Sequence, residues 1–124
     1  MVKKLTAEIL GSLFLGASVV GSGLMVTILT QDIAVQLFIN TITTVFMLFL
    51  IITLFSPISG AHFNPLVTLV ELVYRRISIE TAFLYILAQL IGTSAGVILA
   101  NVMFNRPAVQ MSTYTRSGNY LLIA

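Results

Sequence analysis

The segment Ser59-Gly60-Ala61-His62-Phe63-Asn64-Pro65-Leu66-Val67-Thr68 brings hydroxyl, imidazole and amide groups together around a glycine and a proline, between long apolar runs. Residues of these types can hold or pass a polar molecule through hydrogen bonds. They are poorly suited to metal binding, because His62 is the single histidine, there is no cysteine, and metal sites usually draw three or four ligands. They are equally unsuited to catalysis: no paired carboxylates, no nucleophile beside a base and no phosphate-cradling glycine loop can be found. No catalytic residue, metal or cofactor is therefore expected. The chemistry left to the segment is recognition by donors and acceptors.

Two further polar residues and a pair of glycines stand out within the apolar runs. Glu8 lies inside the first run, where a buried carboxylate costs a few kcal/mol unless it is partnered. It has three readings: a proton or ion relay, a structural acceptor, or a side chain that snorkels toward the interface behind Lys3 and Lys4. Gln89 is expected to hydrogen-bond within a helix bundle. Gly92 and Gly96, four residues apart, form a small-xxx-small face that lets two helix backbones approach closely, and this is read as packing.

The elements that must position these groups belong to a membrane protein. Of the 124 residues, 58% are hydrophobic and 8% charged, with a mean hydropathy of +1.07. A soluble domain carries about 25% charged residues. Three runs, about 5–29, 34–55 and 79–104, reach the roughly 20 apolar residues that a bilayer crossing needs. The first lacks an Ala-x-Ala-like cleavage site and is read as a retained span rather than a signal peptide. Thr30-Gln31-Asp32 is a short polar break that makes the first two spans an antiparallel hairpin, and Pro107 closes the third.

Residues 56–74 have a different texture. Pro57 and Gly60 interrupt helix, and Asn64 followed by Pro65 reads as an N-cap with proline at the first helical position. From Leu66 to Tyr74 the pattern is apolar and helical but only about 13 Å long, less than half a bilayer core. Exposed irregular backbone does not survive in lipid, so the segment reads as a re-entrant loop and half-helix lining a shielded or wet path; the alternative is an amphipathic surface helix, against which Leu66-Val67, Leu69-Val70 and Leu72-Val73 leave almost no polar face. The expected fold is all-α: three transmembrane helices plus one re-entrant half-helix, in a single unit over residues 1–124.

Lys3, Lys4, Arg75 and Arg76 fall on one side of this arrangement and Arg106 and Arg116 on the other, which places the N-terminus in the cytoplasm and favours the cell membrane. A net charge of +2 is too small and too scattered for a nucleic-acid surface. The partner that composition implies is membrane lipid.

These residues resemble a known family. Residues 59–68 are similar to the first signature loop of the aquaporin and glycerol-facilitator (major intrinsic protein) family, Ser-Gly-x-His-x-Asn-Pro-Ala-Val-Thr, with Leu66 in place of the commoner alanine. Ala7-Glu8-Ile9-Leu10-Gly11 resembles the family's Ala-Glu-Phe-x-Gly opening, and Ala88-Gln89-x-x-Gly92-x-x-x-Gly96 its third-helix packing motif. Family members join two inverted repeats of three spans and a half-helix, and this sequence matches the first repeat. The second signature loop and the constriction arginine that follows it are not in the sequence, and Val67 stands at the corresponding position of this repeat.

The resemblance implies a passive channel for water or small uncharged solutes such as glycerol or metalloid hydroxides, with further copies of the chain or another half-channel as partners. Gly60, Ala61, His62 and Phe63 would present carbonyls to the solute, Asn64, Pro65 and Leu66 would form the tip of the half-helix, and Thr44 would sit where an aromatic often narrows the pore. Glu8 and Gln89 would brace the loop from behind, with Glu8 accepting from loop N–H groups and from His62. Two rival readings remain: a non-conducting remnant or assembly partner in the membrane, and an ion-coupled transporter built on Glu8.

Overall fold

A computed structural model describes residues 1–110 as four helices: α1 (Val2–Leu29), α2 (Ile33–Ser59), α3 (Pro65–Val73) and α4 (Ile79–Met103). Arg116 and the segment 120–124 lie outside the described residues. Helices α1, α2 and α4 are each long and apolar enough to cross a membrane, and no strand is present among the described residues. The protein is an all-helical integral membrane protein. Much of its apolar surface, including Leu37, Phe38, Phe46 and Phe49 on α2, faces outward, as expected where lipid rather than water is the solvent.

Local sequence accounts for the helix ends. Asp32 caps α2, its carboxylate accepting from Ala34 N at 2.9 Å and Val35 N at 3.2 Å. Asn64 caps α3 through Leu66 N at 2.8 Å, with Pro65 at the first helical position. Helix α3 ends in a Schellman arrangement: Arg75 takes φ +57°, its N–H reaches Leu72 O, and Arg76 N–H reaches Glu71 O. The Arg76 guanidinium adds an ion pair to Glu71 at 2.9 Å and lies 5.3 Å from the Tyr74 ring centroid.

Helix α2 departs from the expected limit near residue 55. It runs through Pro57 to Ser59 and stops only at Gly60, whose φ of +89° is the left-handed conformation that favours glycine. A proline this close to a helix end removes one rung of the ladder. The ladder resumes at once, since Gly60 N–H bonds Ser56 O at 3.0 Å. The extra turn has a consequence for the site, because it delivers Ser59 to the interior.

Helix α1 is the centre of the bundle and packs against both α2 and α4, while α3 rests on α4. The contacts with α2 run antiparallel: Ser59 meets Glu8 near one end, and Asn40 meets Val19 and Ser22 near the other. Those with α4 run parallel and are close. A Cβ added at Gly92 would come within 2.2 Å of Ile9 O, and one at Gly96 within 2.1 Å of Leu13 O. The small-residue face of α4 thus lies directly on the α1 backbone. Because α2 is antiparallel to α1 and α4 is parallel to it, α2 ends and α4 begins at the end of the bundle where α1 starts. Residues 60–78 connect them without crossing, which is the geometry of a re-entrant segment.

Candidate functional site: a loop held by a buried carboxylate

Between Gly60 and Asn64 the chain is neither helix nor strand, and its backbone is strained. Ala61 and Phe63 have φ of +55° and +51°, a conformation costing on the order of 1–3 kcal/mol for a non-glycine residue. Such a conformation persists only where its surroundings over-determine it. Here the surroundings are supplied mainly by Glu8, which is fully buried on α1.

Four donors converge on the Glu8 carboxylate. Oε1 accepts from Ser59 Oγ at 2.6 Å and His62 N at 3.1 Å, and Oε2 accepts from Phe63 N at 2.8 Å and Gln89 Nε2 at 2.9 Å. Ser59 also ties the turn to itself and to α4: its Oγ accepts from Ala61 N, and its carbonyl accepts from Tyr85 Oη at 2.7 Å. The snorkelling reading of Glu8 is thereby excluded, since a side chain with no exposure and four interior donors does not reach the interface.

A second node forms at Thr68, also fully buried. Its Oγ1 accepts from Gln89 Nε2 at 2.9 Å, lies 3.2 Å from Asn64 O, to which it donates, and is 3.0 Å from His62 Nδ1. The direction of the bond between Thr68 Oγ1 and His62 Nδ1 follows the imidazole tautomer. The His62 ring bonds Thr68, while its backbone N–H, not its ring, reaches Glu8. The ring also stands edge-on to Tyr85, with centroids 5.1 Å apart.

Phe63 locks the loop from the other side. Its ring is buried over Gly11, where an added Cβ would fall 2.0 Å from Cε1, and packs edge-to-face on Phe55 at 6.0 Å. The Phe63 side chain thus belongs to the packed interior, and only its carbonyl remains for a solute. No donor among the described residues bonds the carbonyls of Gly60, Ala61, His62 or Phe63. Asn64 and Leu66 are exposed at the tip of α3, Val67 is 42% exposed beside them, and Pro65 and Ala61 are half-buried.

Thr44 is not brought to this cluster. Its hydroxyl bonds its own helix at Asn40 O, and it lies fifteen residues before Ser59, about 22 Å along α2 at 1.5 Å per residue. Residues not singled out from sequence also take part. Tyr85 sits one helical turn before Gln89 on α4, a spacing that could have flagged it as a second polar group on that face. Asn40 on α2 donates through Nδ2 to Val19 O at 2.9 Å and Ser22 Oγ at 2.8 Å. Two buried side-chain polar atoms have no partner among the described residues, Ser12 Oγ and Gln89 Oε1.

Comparison with known proteins agrees with this architecture. The family model described as major intrinsic protein matches residues 1–121. Aquaglyceroporin AqpS of Rhizobium meliloti (strain 1021) is 42% identical over 118 residues, which are 95% of this chain and 51% of that protein. A probable aquaporin TIP-type RB7-5A of Nicotiana tabacum is 34% identical over 111 residues, 87% of this chain and 44% of that protein. Human aquaporin-5 is 35% identical over 100 residues, 77% of this chain and 34% of that protein. The chain spans about half the length, or less, of these curated relatives, and no solved structure gives a significant match. Family match, relatives and four-helix architecture agree, and the chain belongs to the major intrinsic protein family.

Proposed function

We propose that this chain forms one half of a passive membrane channel for water or small uncharged solutes, glycerol and metalloid hydroxides among them. The observation that carries the reading is the strained loop 60–63, held by Glu8 so that its carbonyls stay unpaired just ahead of the α3 N-terminus. Unpaired carbonyls replace part of a solute's hydration, as they do in other pores. The α3 N-terminus carries a partial positive charge and the Asn64 amide, both unfavourable to cations. In this reading Gly60, Ala61, His62 and Phe63 supply acceptors, and Asn64, Pro65, Leu66 and Val67 shape the tip. Glu8 and Gln89 are supports, and Thr44 lines a separate, outer part of the path.

The engagement of Glu8 favours support over transport. A relay must exchange protons with a path, yet both Glu8 oxygens are occupied by four fixed donors in a fully buried site. The membrane we infer is the cell membrane, with the N-terminus in the cytoplasm. The outer face of α3, with Leu66, Leu69, Val70 and Val73 exposed, supports a second reading in which the chain conducts only when another half-channel covers that face.

Stopped-flow measurement on proteoliposomes containing this chain, with water and glycerol gradients and with or without an ion gradient, tests both readings. Solute flux above empty liposomes and independent of the ion gradient supports the channel. Flux that appears only on co-reconstitution with a second half supports the partnered form. Flux driven by the ion gradient overturns the passive reading.

A further inference from the structure

A different part of the molecule fits a lipid. At the end of the bundle where α1 starts and α2 finishes, a cleft of about 580 Å³ is lined by Met1, Val2, Lys3, Lys4, Pro57 and Ile58. A second groove of about 420 Å³ shares Val2, Lys3 and Ile58 with it and continues along Thr6, Ala7, Leu10 and Phe55. The first is cationic and lies at the helix end. The second is apolar apart from Lys3 at its shared end and Thr6, whose hydroxyl already bonds Val2 O, and leads toward the hydrocarbon.

We propose that this adjoining cleft and groove bind one anionic phospholipid, with its phosphate between Lys3 and Lys4 and an acyl chain along Leu10, Phe55 and Ile58. The argument is charge complementarity joined to shape. Lys3 and Lys4 are exposed, and neither has a carboxylate partner among the described residues, where the one ion pair joins Arg76 to Glu71. Glu8, one turn further along α1, cannot neutralise them because its oxygens are committed inside the bundle. Two unpaired lysines at the headgroup level attract anionic lipid, and the apolar continuation suits an acyl chain rather than a soluble anion. Pro57, kept within α2, contributes to the wall of the cleft where it meets the first turn of α1. The inference does not depend on whether the chain conducts.

The test is lipid retention by the full chain in detergent micelles, read by native mass spectrometry with phosphatidylglycerol and phosphatidylcholine of identical acyl chains. Each lysine near an anionic lipid is worth about fivefold in binding, so wild type should retain phosphatidylglycerol roughly thirtyfold better. Lys3→Gln with Lys4→Gln should bring that ratio close to one, and Lys3→Arg with Lys4→Arg should keep it. Ile58→Trp, which fills the shared wall and leaves both lysines, should lower retention of both lipids, and Arg75→Gln should change neither. Melting curves for every variant identify those that are folded, and only these are compared. Equal retention of the two lipids by wild type overturns the proposal. So does an equal loss of preference in Arg75→Gln, which would show general electrostatics. Displacement of the lipid by 10 mM inorganic phosphate, a concentration set for the assay on the order of a soluble anion's weak affinity, overturns it in favour of a simple anion site.

Discussion

The Phe63 N–H donates to Glu8 Oε2 across 2.8 Å, joining residues fifty-five positions apart and fixing a left-handed phenylalanine in the middle of the loop. The ring of the same residue lies over Gly11, one turn beyond Glu8 on α1. One helix thus holds the loop twice, by a carboxylate and by a missing side chain.

Removing the carboxylate should therefore act on the fold first. Glu8→Ala leaves two backbone N–H groups, the Gln89 amide and the Ser59 hydroxyl without their acceptor in a buried setting. At about 1–3 kcal/mol for each unsatisfied group, with partial relaxation, a loss on the order of 3 kcal/mol is expected. Thermal unfolding in detergent measures it, and ion flux in liposomes should stay at background. Unchanged stability together with lost proton-coupled flux would reverse the assignment and favour the transporter.

The α1–α4 contact makes two glycines behave differently. A Cβ at Gly96 would meet Leu13 O at 2.1 Å and Ala17 N at 2.8 Å, both backbone atoms that cannot turn aside. At Gly21 the nearest atom would be 3.9 Å away, an ordinary contact. Gly96→Ala should destabilise by about 1–3 kcal/mol, as overpacking does. Gly21→Ala should stabilise by up to about 1 kcal/mol through helix propensity. Chemical denaturation of the two variants side by side is the measurement, and equal effects would contradict the packing described.

Topology is open to direct chemistry because the sequence has no cysteine. Ser78 precedes α4 and Asn105 follows it, so single cysteines at these positions should be labelled from opposite faces of the membrane, with Ser78→Cys on the cytoplasmic side. Labelling of both sites from both sides would show dual insertion and make an antiparallel pair of identical chains feasible.

Val67 offers a test of selectivity. It is partly exposed on the first turn of α3, three residues after the Asn64 cap. A guanidinium there would add a fixed positive charge and several donors to a place that otherwise has only partial charges. Val67→Arg should slow proton leak through any conducting assembly while water or glycerol flux falls less. A pH-sensitive dye inside the liposomes reports the leak, and an unchanged leak would remove Val67 from the path.

The three spans, the polar segment between the second and third, and the Asn64-Pro65 start of the half-helix are properties of local sequence. Hydropathy acts over windows of about 20 residues, and capping acts over three or four, so both are legible without a fold. What the polar residues do was decided by tertiary structure. Helix α2 runs through Pro57 because one missing rung near its end is tolerated, and only then does Ser59 reach Glu8. The His62 ring turns to Thr68 rather than Glu8, since the carboxylate is filled by the Ser59 hydroxyl of α2, two loop N–H groups and the Gln89 amide of α4. Tyr85 enters the site because the α4 face bearing Gln89 also bears the residue one turn earlier, and Thr44 stays apart because α2 carries it some 22 Å away. Pairings such as Glu8 with Gln89, eighty-one residues apart, depend on how closely two backbones approach. That distance is set where Gly92 and Gly96 meet Ile9 and Leu13. A local pattern shows that such glycines allow contact, but only the packed bundle shows which helix they touch and in which direction it runs.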